Sequence, residues 1–402
     1  MLCRNFDCNK ARPPLRALLG LPVLLASWNV GAVNWELAPR VQGGYRYSDN
    51  YRLEQPGGEV EVSGAEADAK VTLRNVDPRT RFEVTPRIRA TYFPDEQEED
   101  STDYFLGASL VDETPRRRMG IAADFSREDV VRSELPGADE IDGDLGDPQA
   151  VDSGRTVQRN RRDLIRIAPS FGYDFTERYR MELQARYVDA TFDKQFAGVQ
   201  QDFTDAGVSA AFGFQYSQRS SLLFRALASQ YKTSFDTDAY GGEVEWTTDF
   251  SPTSRMYVRL GTQDTKPEGG SSDTTFIGGI GGRWMSQRNE LFLDLTRTVG
   301  PIAAGTIVER HQLRIRIDHD ISPRVALLLG ARASRDEDID DAGTYPTREY
   351  ATAEAGVEWR VQRYLALTAS YNYRWQEYAD EVSDRSANGF LIGVIYEPKR
   401  LE

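Results

Sequence analysis

The chain has 402 residues, 28% of them charged and 40% hydrophobic, with a formal net charge of −14 at pH 7 and two cysteines. An acidic balance of this size speaks against a nucleic-acid partner, and no stretch carries a cofactor motif in its proper context. Cys3 and Cys8 are the only cysteines, so everything after them can form neither a disulfide nor a thiolate metal site.

Residues 1–32 read as a secretory signal. Arg4, Lys10, Arg12 and Arg16 make a basic start, ALLGLPVLLASW (17–28) a short apolar stretch, and Val30-Gly31-Ala32 a small-residue cleavage site. Cleavage there takes the net charge from −14 to −17, leaving residues 33–402 as the mature chain. No later segment approaches 18 consecutive apolar residues, so no transmembrane helix is expected.

From Trp35 onward the pattern is strand, turn, strand. Eighteen candidate strands are predicted near 35–48, 60–74, 80–93, 103–112, 117–127, 163–175, 179–191, 203–216, 221–232, 239–250, 255–262, 274–285, 290–299, 309–321, 325–334, 350–360, 364–378 and 387–397. RFEVTPRIRATYF (81–93) shows the alternation best, with Phe82, Val84, Ile88, Ala90 and Tyr92 on one parity and Arg81, Glu83, Arg87 and Arg89 on the other. Strands of 10 to 14 residues exceed the usual soluble length and suit a tilted membrane strand of about 9–11. Tight turns such as TER (176–178), SPR (322–324) and VQR (361–363) alternate with longer connections, among them 48–59, 94–100, 127–163, 263–273, 300–308, 334–349 and 377–386. Five of the long connections carry about −18 charges together. The expectation is an all-β, transmembrane, antiparallel up-and-down barrel of about 18 strands, with 16 as the alternative. Short turns would face the periplasm and long acidic loops the exterior.

The charged parity then lines the lumen and the oily parity meets lipid. Lumen candidates are Arg81, Glu83, Arg87, Arg89, Arg166, Arg186, Glu243, Glu245, Arg314, Arg316, Asp318, Glu354 and Glu358. Phe175, Tyr179, Tyr216, Phe250, Trp284, Trp359, Tyr364 and Tyr396 gather beside the short turns, as an interfacial girdle would. Pro39, Pro86 and Pro169 fall on the outward parity, where a missing amide predicts a bulge or a local loss of pairing.

Several stretches resemble one known family. They are YRYSDNYRL (45–53), SELPGADEI (133–141), RNRRDLIRIAPSFGYDFTERYRMELQARYVDATF (159–192), VGPIAAGTIVERHQLRIRIDHDISPR (299–324) and the last strand ending Val394-Ile395-Tyr396. The chain is similar to the second family of putative β-barrel porins, some of which accompany exopolysaccharide biosynthesis and export. The resemblance implies an outer-membrane, porin-like barrel, with saccharide as a possible cargo class. The chain departs from the usual pattern at its end, where EPKRLE (397–402) follows the terminal aromatic Tyr396.

Few residues offer chemistry. His311 and His319 are the only histidines, both predicted outward on one strand, and no hydrolase serine motif lies near either, so the chain does not read as an enzyme. FIGGIGGRW (276–284) lies in a strand and opens no helix, which fails the context of a phosphate loop; its glycines would instead allow strand coiling or the close approach of a large neighbouring side chain. Asp336, Asp338 and Asp340 have calcium-loop spacing, but Asp341 and Thr347 stand where such a loop needs Gly and Glu. Loop 127–163, the longest, carries Arg155, Arg159, Arg161 and Arg162; it either folds inward as a constriction for an anionic solute or simply stands outside the barrel. The leading expectation is a polar conduit without cofactor, its partners outer-membrane lipid, lipopolysaccharide and a polysaccharide. The alternatives are a closed surface-interaction barrel and a soluble exported β-protein.

Overall fold

The computed structural model describes residues 35–133, 160–195, 200–233, 236–304, 306–339 and 345–398. The leader at 1–32, Arg155, Arg159 and Asp340 lie outside the described residues. Eighteen strands form: β1 (Trp35–Ser48), β2 (Val62–Val76), β3 (Thr80–Tyr92), β4 (Ser101–Glu113), β5 (Arg117–Asp129), β6 (Arg161–Asp174), β7 (Tyr179–Phe192), β8 (Phe203–Gln215) and β9 (Ser220–Lys232). They continue as β10 (Asp236–Ser251), β11 (Ser254–Pro267), β12 (Asp273–Met285), β13 (Asn289–Pro301), β14 (Ile307–Ser322), β15 (Val325–Asp338), β16 (Arg348–Gln362), β17 (Leu365–Tyr378) and β18 (Arg385–Tyr396). A single α-helical turn, Val130–Ser133, follows β5.

Each strand pairs antiparallel with its sequence neighbours, and β1 pairs with β18, so the sheet closes on itself. The 18-stranded alternative among the two expected counts is the one that forms. A closed sheet satisfies every ladder amide internally, the condition a bilayer imposes on backbone. The strands outlast the oily stretches that announced them. β10 starts at Asp236 instead of 239, close behind β9, and β11 runs to Pro267 instead of 262, which leaves 268–272 between it and β12. Asp236, Asp238 and Lys266 are polar on the outward parity, so these strand ends rise above the oily band and read as loop.

The prolines weaken pairing without inserting residues. Between β2 and β3, pairing lapses from Lys70↔Arg87 to Leu73↔Val84, around Pro86, and resumes in the same register. Between β6 and β7 it lapses from Ile167↔Tyr187 to Ser170↔Gln184, around Pro169, again in register. Pro39 keeps its place opposite Val71, and the β1–β18 ladder begins just beyond it at Val41↔Tyr396. Register shifts occur instead at the short turns, between Asp249 and Ser251, Asp320 and Ser322, and Arg360 and Gln362.

The wall opens at one seam. β12 pairs with β13 only as far as Gly278↔Arg297, although β11 holds β12 up to Thr265↔Asp273 and β13 holds β14 up to Pro301↔Ile307. Above Gly278 the wall therefore opens between β12 and β13, while β14 stays paired with β15 as far as Val308↔Asp338.

The two faces separate as alternation requires. Leu293, Leu295, Leu260, Ile392 and Val208 are exposed on the outer surface, a continuous apolar coat with no protein over it. Seven of the eight girdle aromatics are exposed beside the short turns, and Trp284 is half-buried. Trp284 lies over its outward neighbour Gly282, where an added Cβ would come within 2.5 Å of the indole ring.

Candidate functional site: the barrel interior

The inward side chains of the long-loop half form ion pairs across the ladder. Arg87 pairs with Asp68 at 2.6 Å, and Arg89 with Asp103 at 3.4 Å. Phe105, inward on β4, lies beneath both guanidinium groups, at 5.2 and 5.1 Å from its ring centre. Glu128 holds Arg162 at 2.8 Å, and Asp103 also accepts the backbone amide of Asp129 at 3.0 Å. Arg186 reaches Asp205 at 2.8 Å, while Glu243 is shared between Arg225 and Arg259. Nearer the short turns, and within single strands, Arg316 donates to Asp318 at 2.9 Å and Arg360 to Glu358 at 2.9 Å. Arg166 stands opposite Asp124, and Glu83 opposite Arg74. Glu354 sits between Gly330 and Asn372 in the ladder.

The best enclosed of these pairs depends on the glycines of β12. Arg314 and Asp294 have no solvent exposure and bond at 2.6 Å, and Tyr257 donates its hydroxyl to the same carboxylate at 2.6 Å. β12 lies between Tyr257 and Asp294. Its inward Gly281 would place a Cβ 2.7 Å from both, and its inward Gly279 one 2.9 Å from the Tyr257 hydroxyl. FIGGIGGRW thus forms a groove in the wall through which side chains of β11 and β13 meet. The Arg314 guanidinium also lies over Phe292, 5.4 Å from its centre.

Above this level apolar side chains close ranks. Tyr51, Val62, Phe93 and Val131 form one cluster, Leu53, Tyr350 and Ala387 a second, and Ile302, Ala304, Val308, Tyr345 and Tyr378 a third. Two further clusters join Ala303 to Val130, Leu164 and Phe203, and Ile307 to Tyr231 and Ile277. The β1–β2 connection is drawn inward by Arg374, which donates to the carbonyls of Asn50 and Tyr51 at 3.1 and 3.0 Å. Leu53 there adopts a positive φ of 59°.

The short-turn half is different. Arg81, Arg255 and Arg180 are exposed, with ion-pair partners Glu113 at 3.9 Å, Asp249 at 2.8 Å and Glu182 at 3.0 Å. Glu245 accepts from Thr247 at 3.1 Å. A cavity of about 730 Å³ opens here among Glu245, Asp249, Arg255, Tyr257 and Arg283, and another of about 460 Å³ among Asp174, Arg178, Arg180 and Gln215.

The remaining candidates are committed elsewhere. Arg161 and Arg162 sit at the long-loop rim, Arg161 3.6 Å from Asp103 and bonded to the Thr102 carbonyl, and Arg162 bound by Glu128. Asp336 is held by Arg310 at 2.6 and 2.9 Å, and Asp338 accepts from Thr306 at 3.3 Å and from the Tyr345 amide at 3.1 Å. No group of three acidic or metal-binding side chains converges among the described residues. His311 contacts Glu309 at 2.6 Å and His319 contacts Asn289 at 2.6 Å, both from outward positions.

Sequence reasoning passed over two features of the interior. Phe105, Tyr257 and Phe292 are aromatics on the polar parity, a signal visible as soon as the parity is written out. Connection 300–308, GPIAAGTIV, is counted with the polar loops although it contains no charge at all.

Residues 295–397 match the family model described as putative beta-barrel porin 2, the family whose likeness the sequence shows. Solved structures similar to this chain include OpdO of Pseudomonas aeruginosa, at 9% identity over 91% of this chain and 98% of that one, with a TM-score of 0.49. OccAB1 of Acinetobacter baumannii is 9% identical over 91% and 97%, with a TM-score of 0.46. The outer membrane channel DcaP of the same organism is 13% identical over 91% and 97%, with a TM-score of 0.44. No curated protein matches the chain.

Proposed function

We propose that this porin-like barrel is an outer-membrane conduit for a polar solute, delivered to that membrane through the leader at 1–32 and surrounded there by lipid and lipopolysaccharide. The observation that carries the reading is the charged inward parity, which in the short-turn half stands exposed around cavities of about 730 and 460 Å³. Charges at such positions are stable only in water, and a wet, two-signed wall can exchange its own contacts for a solute's lost hydration. Passage of this kind needs no catalytic group. Lumen candidates from Arg81 to Glu358 then act collectively, Arg166, Arg186 and Arg316 among the basic members and Glu83, Glu245 and Glu354 among the acidic ones. Saccharide is the cargo class that the family likeness favours. Arg155 and Arg159 belong to the same reading as basic residues of the longest loop, beside Arg161 and Arg162.

The packed apolar mouth favours a second reading, a surface barrel whose acidic loops contact polysaccharide or lipopolysaccharide while nothing flows. Single-channel conductance of the refolded protein in a planar bilayer separates the two. Stable ohmic steps, with an ion bias read from a salt gradient, support the conduit. Silence from a barrel shown to be folded by its heat-dependent gel mobility would sink the conduit and leave the surface reading.

A further inference from the structure

We propose that Ile302, Ala303 and Ala304, the tip of the β13–β14 hairpin, form the stopper that determines what passes the long-loop mouth. The inference rests on the conduit reading and names the residues that limit it.

Register comes first. A hairpin that continued up the wall would extend its ladder with β12, whose residues 273–277 are still held by β11 on the other side. Instead β13 parts from β12 beyond Arg297 and gives up those ladder bonds. Something on the inside must offset them, and the contacts show what. Tyr231 of β9 donates its hydroxyl to the Val299 carbonyl at 3.4 Å, and the Gln201 amide, before β8, donates to the Ala303 carbonyl at 2.6 Å. β8 lies five places from β13 around the wall. The tip has therefore crossed the interior to reach it.

Chemistry agrees with placement. Ala303 is completely buried among Val130, Leu164, Val188, Ala190, Phe192 and Phe203. Ile302 and Ala304 pack toward the opposite side against Tyr345 and Tyr378. Among the described residues, the tip is thus the element shared between the apolar clusters of β6–β8 and those of β14–β17. A tip without charge suits this position, because no charged side chain has to be desolvated there. An apolar constriction of this kind stops ions by excluding water, without needing a charged barrier.

The test uses the full chain, with Ser170→Cys as a reporter on the exposed inward face of β6; Cys3 and Cys8, if retained, are changed to Ser. Ala303→Arg places a charge where no water reaches and should expel the tip. We expect conductance to rise about three-fold or more over the parent. A membrane-impermeant maleimide added on the long-loop side of oriented proteoliposomes should then label the reporter thiol only in the Ala303→Arg protein. If Ala303→Arg does not assemble, Ile302→Ser serves the same purpose. The Gln201→Cys, Ala303→Cys pair, made without the reporter, should hold conductance at the parent level when oxidised. An assembled Ala303→Arg barrel with parental conductance and a shielded thiol overturns the stopper, as does a parent already labelled from the long-loop side at the variant's rate. Labelling gained without current in any variant keeps the stopper and removes the conduit. Parental current indifferent to the tip does the reverse.

Discussion

The two halves of the barrel interior share one wall and one alternation, yet they solve opposite problems. In the long-loop half, charged side chains are taken out of water and must be paired; Arg314, Asp294, Arg89 and Asp103 are all almost fully enclosed. In the short-turn half, the same residue types keep their hydration, and Arg81 and Arg255 remain about as exposed as on a soluble surface. The difference lies in the lid and not in the strands. Loop side chains packed over the upper lumen lower its effective dielectric, which strengthens each pair and raises the cost of breaking one. Structural order is concentrated at one end, and room for a solute at the other.

The contrast predicts unequal effects of like mutations. Asp103→Asn removes the carboxylate that serves Arg89, Arg161 and the Asp129 amide, and is expected to cost about 3–5 kcal/mol by leaving buried charge uncompensated. Asp249→Asn, in the exposed pair with Arg255, is expected to cost less than about 1 kcal/mol. Guanidinium-induced unfolding in lipid vesicles measures both; equal losses would break the comparison. On the outer face, Leu293→Arg is expected to cost about 2–4 kcal/mol, because the charge would have to sit in lipid near mid-height. The same assay in vesicles of thinner lipid should shrink that loss.

Gly281→Ala comes next, at about 1–3 kcal/mol, because the new methyl would meet Asp294, Tyr257 and the Leu293 carbonyl within 2.8 Å. Gly43→Ala, with nothing within 4 Å of the added carbon, should be close to neutral. A smaller effect is expected at Glu54 in the β1–β2 connection, whose pKa burial raises while Arg385 and Arg52 pull it down. A raised folded-state pKa gives a contribution present below the ordinary carboxylate range and lost as pH rises through the folded value. Glu54→Gln should flatten that part of the pH dependence of hydrogen exchange around Tyr51 and Leu53, and an unchanged profile would count against it.

Much of this architecture was legible in the residue order, for a physical reason. The barrel wall is local: each strand's two faces meet two solvents, so parity alone separates Arg87 from Ile88 and Arg314 from Ile315. Strand ends were less legible, because Asp236 and Lys266 lie beyond the lipid and need not be oily. The prolines read halfway, with pairing lost at Pro86 and Pro169 but no residue inserted. The mouth was not legible. Nothing local in Tyr51 or Ala303 says which distant segment will cover it; Tyr51 packs on Phe93 and Val131, and Ala303 on Val130 and Phe203, all far along the chain. The uncharged 300–308 stretch was the one visible hint.

The seam between β1 and β18 has a consequence for how the molecule comes into being. Gly44 lies so close to the opposite strand that an added Cβ would meet the Ile392 carbonyl at 2.7 Å, and Gly393 faces the Gly43 carbonyl at 2.9 Å. These glycines let two backbones approach that are separated by almost the whole chain, and the seam's ladder runs only from Val41↔Tyr396 to Ser48↔Gly389. Until the last strand exists, both rims of the growing sheet present open donors and acceptors to any passing chain. Unfinished barrels should therefore adhere edge to edge, so successful assembly depends on keeping those rims apart until the glycines meet.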